Sequence, residues 1–145
     1  MSGVTFYVPA QLEAWERINK PLMARQAGYS EEMLGDLWRT GSMRIHAIAA
    51  GDVEVGYLVL SIFNLGCGPF LQVMWCEMKP CRVLRAEKDW LWDAARYLEK
   101  VAAANGCTEV RIGVSEDHPS KSWLRRLRGV GFVPRTVELG IRVAA

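Results

Sequence analysis

At 145 residues, half of them apolar and 23% charged, the chain has the length of one globular domain and the composition of neither a disordered, a collagen-like nor a multidomain protein. A mass of 16.3 kDa allows roughly 70% of the unfolded surface to be buried, enough for a core without disulfides or a structural metal. Eighteen Lys and Arg against sixteen Asp and Glu give a formal charge of +2, too balanced for a global field to select nucleic acid or a membrane.

In chain order, Val4 to Val8 predicts a short strand. From Pro9 the residues Leu12, Trp15, Ile18, Leu22 and Met23 follow helical spacing, with Pro21 expected to kink or end the helix. Ser30 before Glu31 and Glu32 predicts the start of a second helix, with Met33, Leu34, Leu37 and Trp38 on one side and Gly41 as its stop. The period then changes to two: RIHAIAA, a turn at Gly51-Asp52 and VEVGYLVLSIF predict a hairpin, and FLQVMWCEM a third strand of the run after Gly66 and Gly68. A helix is expected near 86–104, burying Leu91, Ala94, Ala95, Leu98, Val101 and Ala102. Since positions 90 and 92 diverge by about 200°, one of Trp90 and Trp92 must be partly exposed. TEVRIGV predicts a strand, Ser120 to Arg128 a helix with Trp123, Leu124 and Leu127 inward, and alternating Val137, Leu139, Ile141 and Val143 a last strand. The order is β-α-α-β-β-β-α-β-α-β, read as one domain over residues 1–145.

Cys67, Cys76, Cys81 and Cys107 form no CxxC pair and have no histidine at ligand spacing, which argues against a zinc site. The N-terminal stretch has no basic region followed by an apolar one, and no apolar run approaches the ~20 residues of a membrane helix. The expectation is a cytoplasmic chain with reduced thiols and no membrane partner.

With the hairpin IAAGDVEVGYLVL, the passage EMKPCRVLRAEKDWLWDAARYLEKVAAANGC and the tail SKSWLRRLRGVGFVPRTVELGIRV in this order, the chain resembles the GCN5-related N-acetyltransferases over nearly its whole length. That resemblance implies an α/β fold with a mixed central sheet, splayed between its fourth and fifth strands and flanked by about four helices, and acetyl-coenzyme A as co-substrate in the gap. The family's pyrophosphate loop reads Q/R-x-x-G-x-G/A, and the nearest string here is Arg82-Val83-Leu84-Arg85-Ala86-Glu87. Arg82 matches. Arg85 stands where a glycine lets backbone approach the anion, and Glu87 brings negative charge to a helix start. Lys79, Arg82, Arg85 and Lys88 surround that turn with cations able to replace part of the lost cradle. Met78, Lys79, Arg82, Val83, Leu84, Arg85, Ala86 and Ser120 are therefore the expected coenzyme-binding residues.

The family's second pattern, N-x-x-A-x-x-L-Y-x-x-x-G-F, places Ser120 at the Asn position and Leu127 at the tyrosine, counted back from Gly131-Phe132, so this helix offers no phenol as general acid. A thiolate leaves without much help, so transfer to an amine is weakened and not excluded. Glu77 is the candidate general base, beside Trp75 and Met78, where burial raises a carboxyl pKa. Strict alternation puts Leu71, Val73, Trp75 and Glu77 on one face. His118, on the loop after TEVRIGV, is the alternative base. His46, inside an apolar strand, reads as a satisfied structural histidine. Lys121, Arg125 and Arg128 share a helix face best read as solvated, with no strong nucleic-acid signal. The expected acceptor is a small-molecule or protein amine, and strand-edge pairing is a route to a homodimer. A non-catalytic binding or structural protein, such as a component of a phage particle, is the second reading, because compact chains with an eroded loop and a tail like SKSWLRRLRGVGF look similar to phage-encoded ones.

Overall fold

A computed structural model describes residues 3–27, 29–64, 66, 68–78, 90–113 and 121–134. Along the chain these form β1 (Val4–Tyr7), α1 (Gln11–Arg17), α2 (Lys20–Ala27), α3 (Glu31–Arg39), β2 (Met43–Ala50), β3 (Val53–Asn64), β4 (Pro69–Met78), α4 (Trp90–Ala104), β5 (Val110–Ile112) and α5 (Lys121–Gly129). The strands make one mixed sheet in the order β1-β2-β3-β4-β5, antiparallel up to β4 and parallel between β4 and β5. The expected strand at 137–143 lies outside the described residues.

Two apolar layers sandwich the sheet. On one face Ile48, Val55, Leu58, Leu60, Leu71 and Val73 pack against Leu91, Ala94, Ala95, Leu98 and Ala102 of α4 and Leu127 of α5. On the other, Ile45, Ala47, Tyr57, Val59 and Met74 pack against Ala14, Ile18, Met23, Ala24 and Leu34 of the first three helices. The hairpin reverses at Gly51-Asp52 with Gly51 at φ 61, the left-handed region that a β-carbon disfavours.

The first predicted helix is two helices. α1 ends at Arg17 and α2 starts at Lys20, because Asn19 caps the second: its Oδ1 accepts from the Leu22 N–H at 3.1 Å, and Pro21 sits in the first turn, where its missing N–H costs nothing. The single apolar stripe fails accordingly. Ala14 faces the sheet and Leu12 is exposed, since residues two apart point away from each other. Gln11 fixes where α1 starts. Its amide donates to the Ile45 carbonyl and accepts from the Ile45 N–H, each at 2.8 Å, continuing on β2 the pairing that β1 ends at Tyr7.

On α4, Trp90 is buried and Trp92 exposed, as the geometry of the pair requires. On α5, Leu127 is buried but Leu124 is exposed, a departure from the inward stripe: among the described side chains of the helix Leu127 joins the core, followed by Val130 just beyond its end. Arg125 and Arg128 are exposed.

Candidate active site

The β4 strand is bulged. Val59 pairs with Trp75 while Leu60 pairs with Val73, so Met74 is an extra residue and the alternation of faces reverses there. Leu71 and Val73 face α4, and beyond the bulge Cys76 and Met78 take over that face. Met74 and Trp75 pack on the α1–α3 side instead. The expected continuous row Leu71, Val73, Trp75, Glu77 is thus broken at Val73, and Trp75 and Glu77 belong to the layer under the first helices.

The bulge falls where the described pairing of β4 with β5 ends. β4 and β5 pair only at Leu71↔Val110, Gln72↔Arg111 and Val73↔Ile112, preceded by a Leu71 N–H to Glu109 carbonyl bond of 2.9 Å. From Met74 to Met78 the β5 side of β4 has no ladder partner among the described residues.

Glu77 stands near the end of that stretch of β4, half-buried. Its Oε1 accepts from the Asn19 N–H at 3.2 Å and from the Trp75 indole N–H at 3.3 Å. The break between α1 and α2 is thereby tied to the tip of β4, and Oε2 has no such donor among the described residues. Gly56 makes the approach of β3 to this tip feasible. A β-carbon on Gly56 would lie 2.4 Å from the Glu77 carbonyl oxygen and 2.6 Å from Met78 Sδ, so no other residue fits without displacing the strand that carries Glu77. Next to Glu77, burial and then the glutamate charge push the Cys76 thiol up to about 12, and it is no nucleophile at neutral pH.

Of the other expected site residues, Met78 packs its side chain on the α4 face. Lys79, Arg82, Val83, Leu84, Arg85, Ala86, His118 and Ser120 lie outside the described residues. Leu127, at the position of the family's tyrosine, is a core residue. His46 is buried, its Nδ1 2.5 Å from the Tyr97 hydroxyl, and burial with the nearby Arg44 charge lowers its pKa. A separate groove of about 600 Å³, lined by Arg96, Ala102, Cys107, Val110, Val130 and Phe132 among others, sits where β4 and β5 start, at the opposite end of the sheet from Glu77. Asn19 and Gly56 were not foreseen as site residues. The signal for Asn19 was present in Asn-Lys-Pro, a cap followed by a first-turn proline.

Solved structures share this fold. The aminoglycoside acetyltransferase AAC(6')-Iy, in complex with the bisubstrate analogue CoA-S-monomethyl-acetylneamine, superposes with a TM-score of 0.68 at 16% identity, over 98% of this chain and 99% of that one. An acetyltransferase of Trypanosoma brucei matches with a TM-score of 0.61 at 14% identity, over 97% of this chain and 99% of that one. The chain has the GCN5-related N-acetyltransferase fold. A protein of Thermus thermophilus shares that fold with a TM-score of 0.57 and 23% identity, covering 97% and 98% of the two chains. No family model and no curated protein matches the sequence. In this fold the described residues contain no helix long and apolar enough to cross a membrane.

Proposed function

We propose that the chain is an acyl-coenzyme A-dependent N-acetyltransferase acting on a small amine, with Glu77 as general base. The observation that carries the reading is the bulged end of β4, without a β5 ladder partner among the described residues and with a half-buried carboxylate at its tip. That edge of β4 suits an extended thioester arm, and by charge the side chains of Lys79, Arg82 and Arg85 suit its phosphates. Asp93 already occupies the first turn of α4 and complements that helix dipole, so the pyrophosphate relies on those side chains more than on the helix. Bound acetyl-coenzyme A supplies the acetyl group and a thiol leaving group. Glu77, fixed through Oε1, receives one proton of the ammonium on Oε2; the amine nitrogen then forms the C–N bond to the acetyl carbon, the C–S bond breaks to release the thiolate, and the second nitrogen proton passes to water. Leu127 donates no proton, so the thiolate departs unassisted by this helix, as a group with a pKa near 8 to 9 can.

Calorimetric titration with acetyl-coenzyme A tests the reading. Binding is expected to stabilise the fold by about 2.7 kcal/mol at one hundred times Kd, and the double substitution Arg82→Ala, Arg85→Ala to remove most of that gain. A protein that gives no heat and no melting shift at millimolar acetyl-coenzyme A is a non-catalytic binding or structural module.

A further inference from the structure

We propose that Trp75 is the positioning residue of the base: its indole N–H, together with the Asn19 N–H, pins Oε1 of Glu77 and leaves Oε2 to take the proton. The role presupposes the acetyl-transfer reading of Glu77, while the contact itself is measurable without transfer.

The bulge brings the two side chains to one face. Met74 is its extra residue, so Trp75 and Glu77 follow on the side of the first three helices, with Val59 and Tyr57 as their cross-strand partners in that layer. Val59 is fully buried and the Trp75 ring packs on the same layer, which orders the indole independently of the carboxylate. A ring already ordered by packing gives up little further freedom when it donates. Its bond to Glu77 Oε1 is 3.3 Å long.

A carboxylate held by one donor still turns about its last torsion, which is broad for glutamate. Two donors on one oxygen oppose that rotation, and here they come from different elements: Trp75 from β4 itself and the Asn19 amide from the α1–α2 break, at 3.2 Å. Among the described residues the other neighbours offer no replacement. Tyr57 stands directly opposite Glu77 and is fully buried, but its hydroxyl has no hydrogen-bond partner, and Cys76 packs on the α4 face. The Asn19 donor belongs to the backbone, so Trp75 is the one described side chain that holds the base.

The test is a double-mutant cycle on the full-length protein with Trp75→Phe, Glu77→Gln and the pair, folding checked by circular dichroism. It reads kcat and KM for the best acceptor in a panel of primary amines that includes phenethylamine, spermidine and kanamycin, and it follows the nitrogen–proton resonance of the Trp75 indole. Trp75→Phe keeps a ring in the layer and removes the donor. Its kcat should fall roughly tenfold, the scale of one hydrogen bond to a charged group, with the KM of the amine and the affinity for acetyl-coenzyme A unchanged. In the Glu77→Gln background the same substitution should change nothing, because no base is left to position. The indole resonance should move between wild type and Glu77→Gln, where a neutral acceptor replaces a charged one. Equal slowing by Trp75→Phe in both backgrounds makes Trp75 a packing residue and overturns the assignment, as does an unchanged kcat or an indole resonance that ignores Glu77. Glu77→Gln as fast as the wild type overturns instead the reading of Glu77 as base, and the role of Trp75 falls with it. Should Trp75→Phe not fold, the resonance in wild type and Glu77→Gln decides alone.

Discussion

Gly56 and His46 show how single positions constrain the site. Gly56→Ala must push the Glu77 carbonyl and Met78 away from β3, and overpacking of this kind costs about 1 to 3 kcal/mol. The expected result is a lower denaturation midpoint together with slower acetyl transfer, since the displaced segment carries the proposed base; an alanine variant of wild-type stability would contradict the close approach. His46 carries a different prediction. Its pKa is depressed in the fold by burial first and by Arg44 second, so between the folded value and the unfolded value of about 6.5 the unfolded chain binds more protons. Stability is therefore complete above that unfolded value and falls as pH drops below it. Melting temperatures measured from pH 7.5 to 5 should decline, and His46→Gln, which keeps a partner for Tyr97, should flatten part of that decline.

Among the elements, the α1–α2 break carries the most. Asn19 caps α2 with its side chain and holds Glu77 with its backbone. Asn19→Ala should cost about 1 kcal/mol, the usual value of a cap, and leave the backbone donor to Glu77 in place; urea titration reads the first and the retained transfer rate the second. The period-two and helical patterns of the sequence suffice to place β2, β3, β4 and α4, because each buries a stripe whose spacing is written in Ile, Val, Leu and Ala. They do not suffice for the break or for the bulge. Both interrupt a run that stays apolar: Met74 and Trp75 are as apolar as their neighbours, so nothing in the composition marks the residue where the strand changes face. The separation of helices at Asn19 competes with an unbroken spacing from Leu12 to Met23, and capping chemistry decides it. Glu77 itself was legible as the one carboxylate of FLQVMWCEM, whereas its donors come from a chain segment 58 residues away and from a tryptophan assigned to an uninterrupted row.

For the whole molecule, the described β4–β5 pairing ends at Val73 and Ile112, the first three helices close over one face, and Glu77 stands where the two features meet. The fold serves acetyl transfer only if that meeting point handles a proton. The most direct measurement is the single-turnover rate of acetyl transfer to an accepted amine by the wild type and by Glu77→Gln, with acetyl-coenzyme A affinity determined for both. Glutamine keeps the shape and an oxygen for Asn19 and Trp75 but takes up no proton, so the rate should fall by about 10² to 10⁴ while coenzyme affinity stays unchanged. Equal rates in the two proteins, at equal coenzyme affinity, would contradict the account and remove Glu77 from the chemistry.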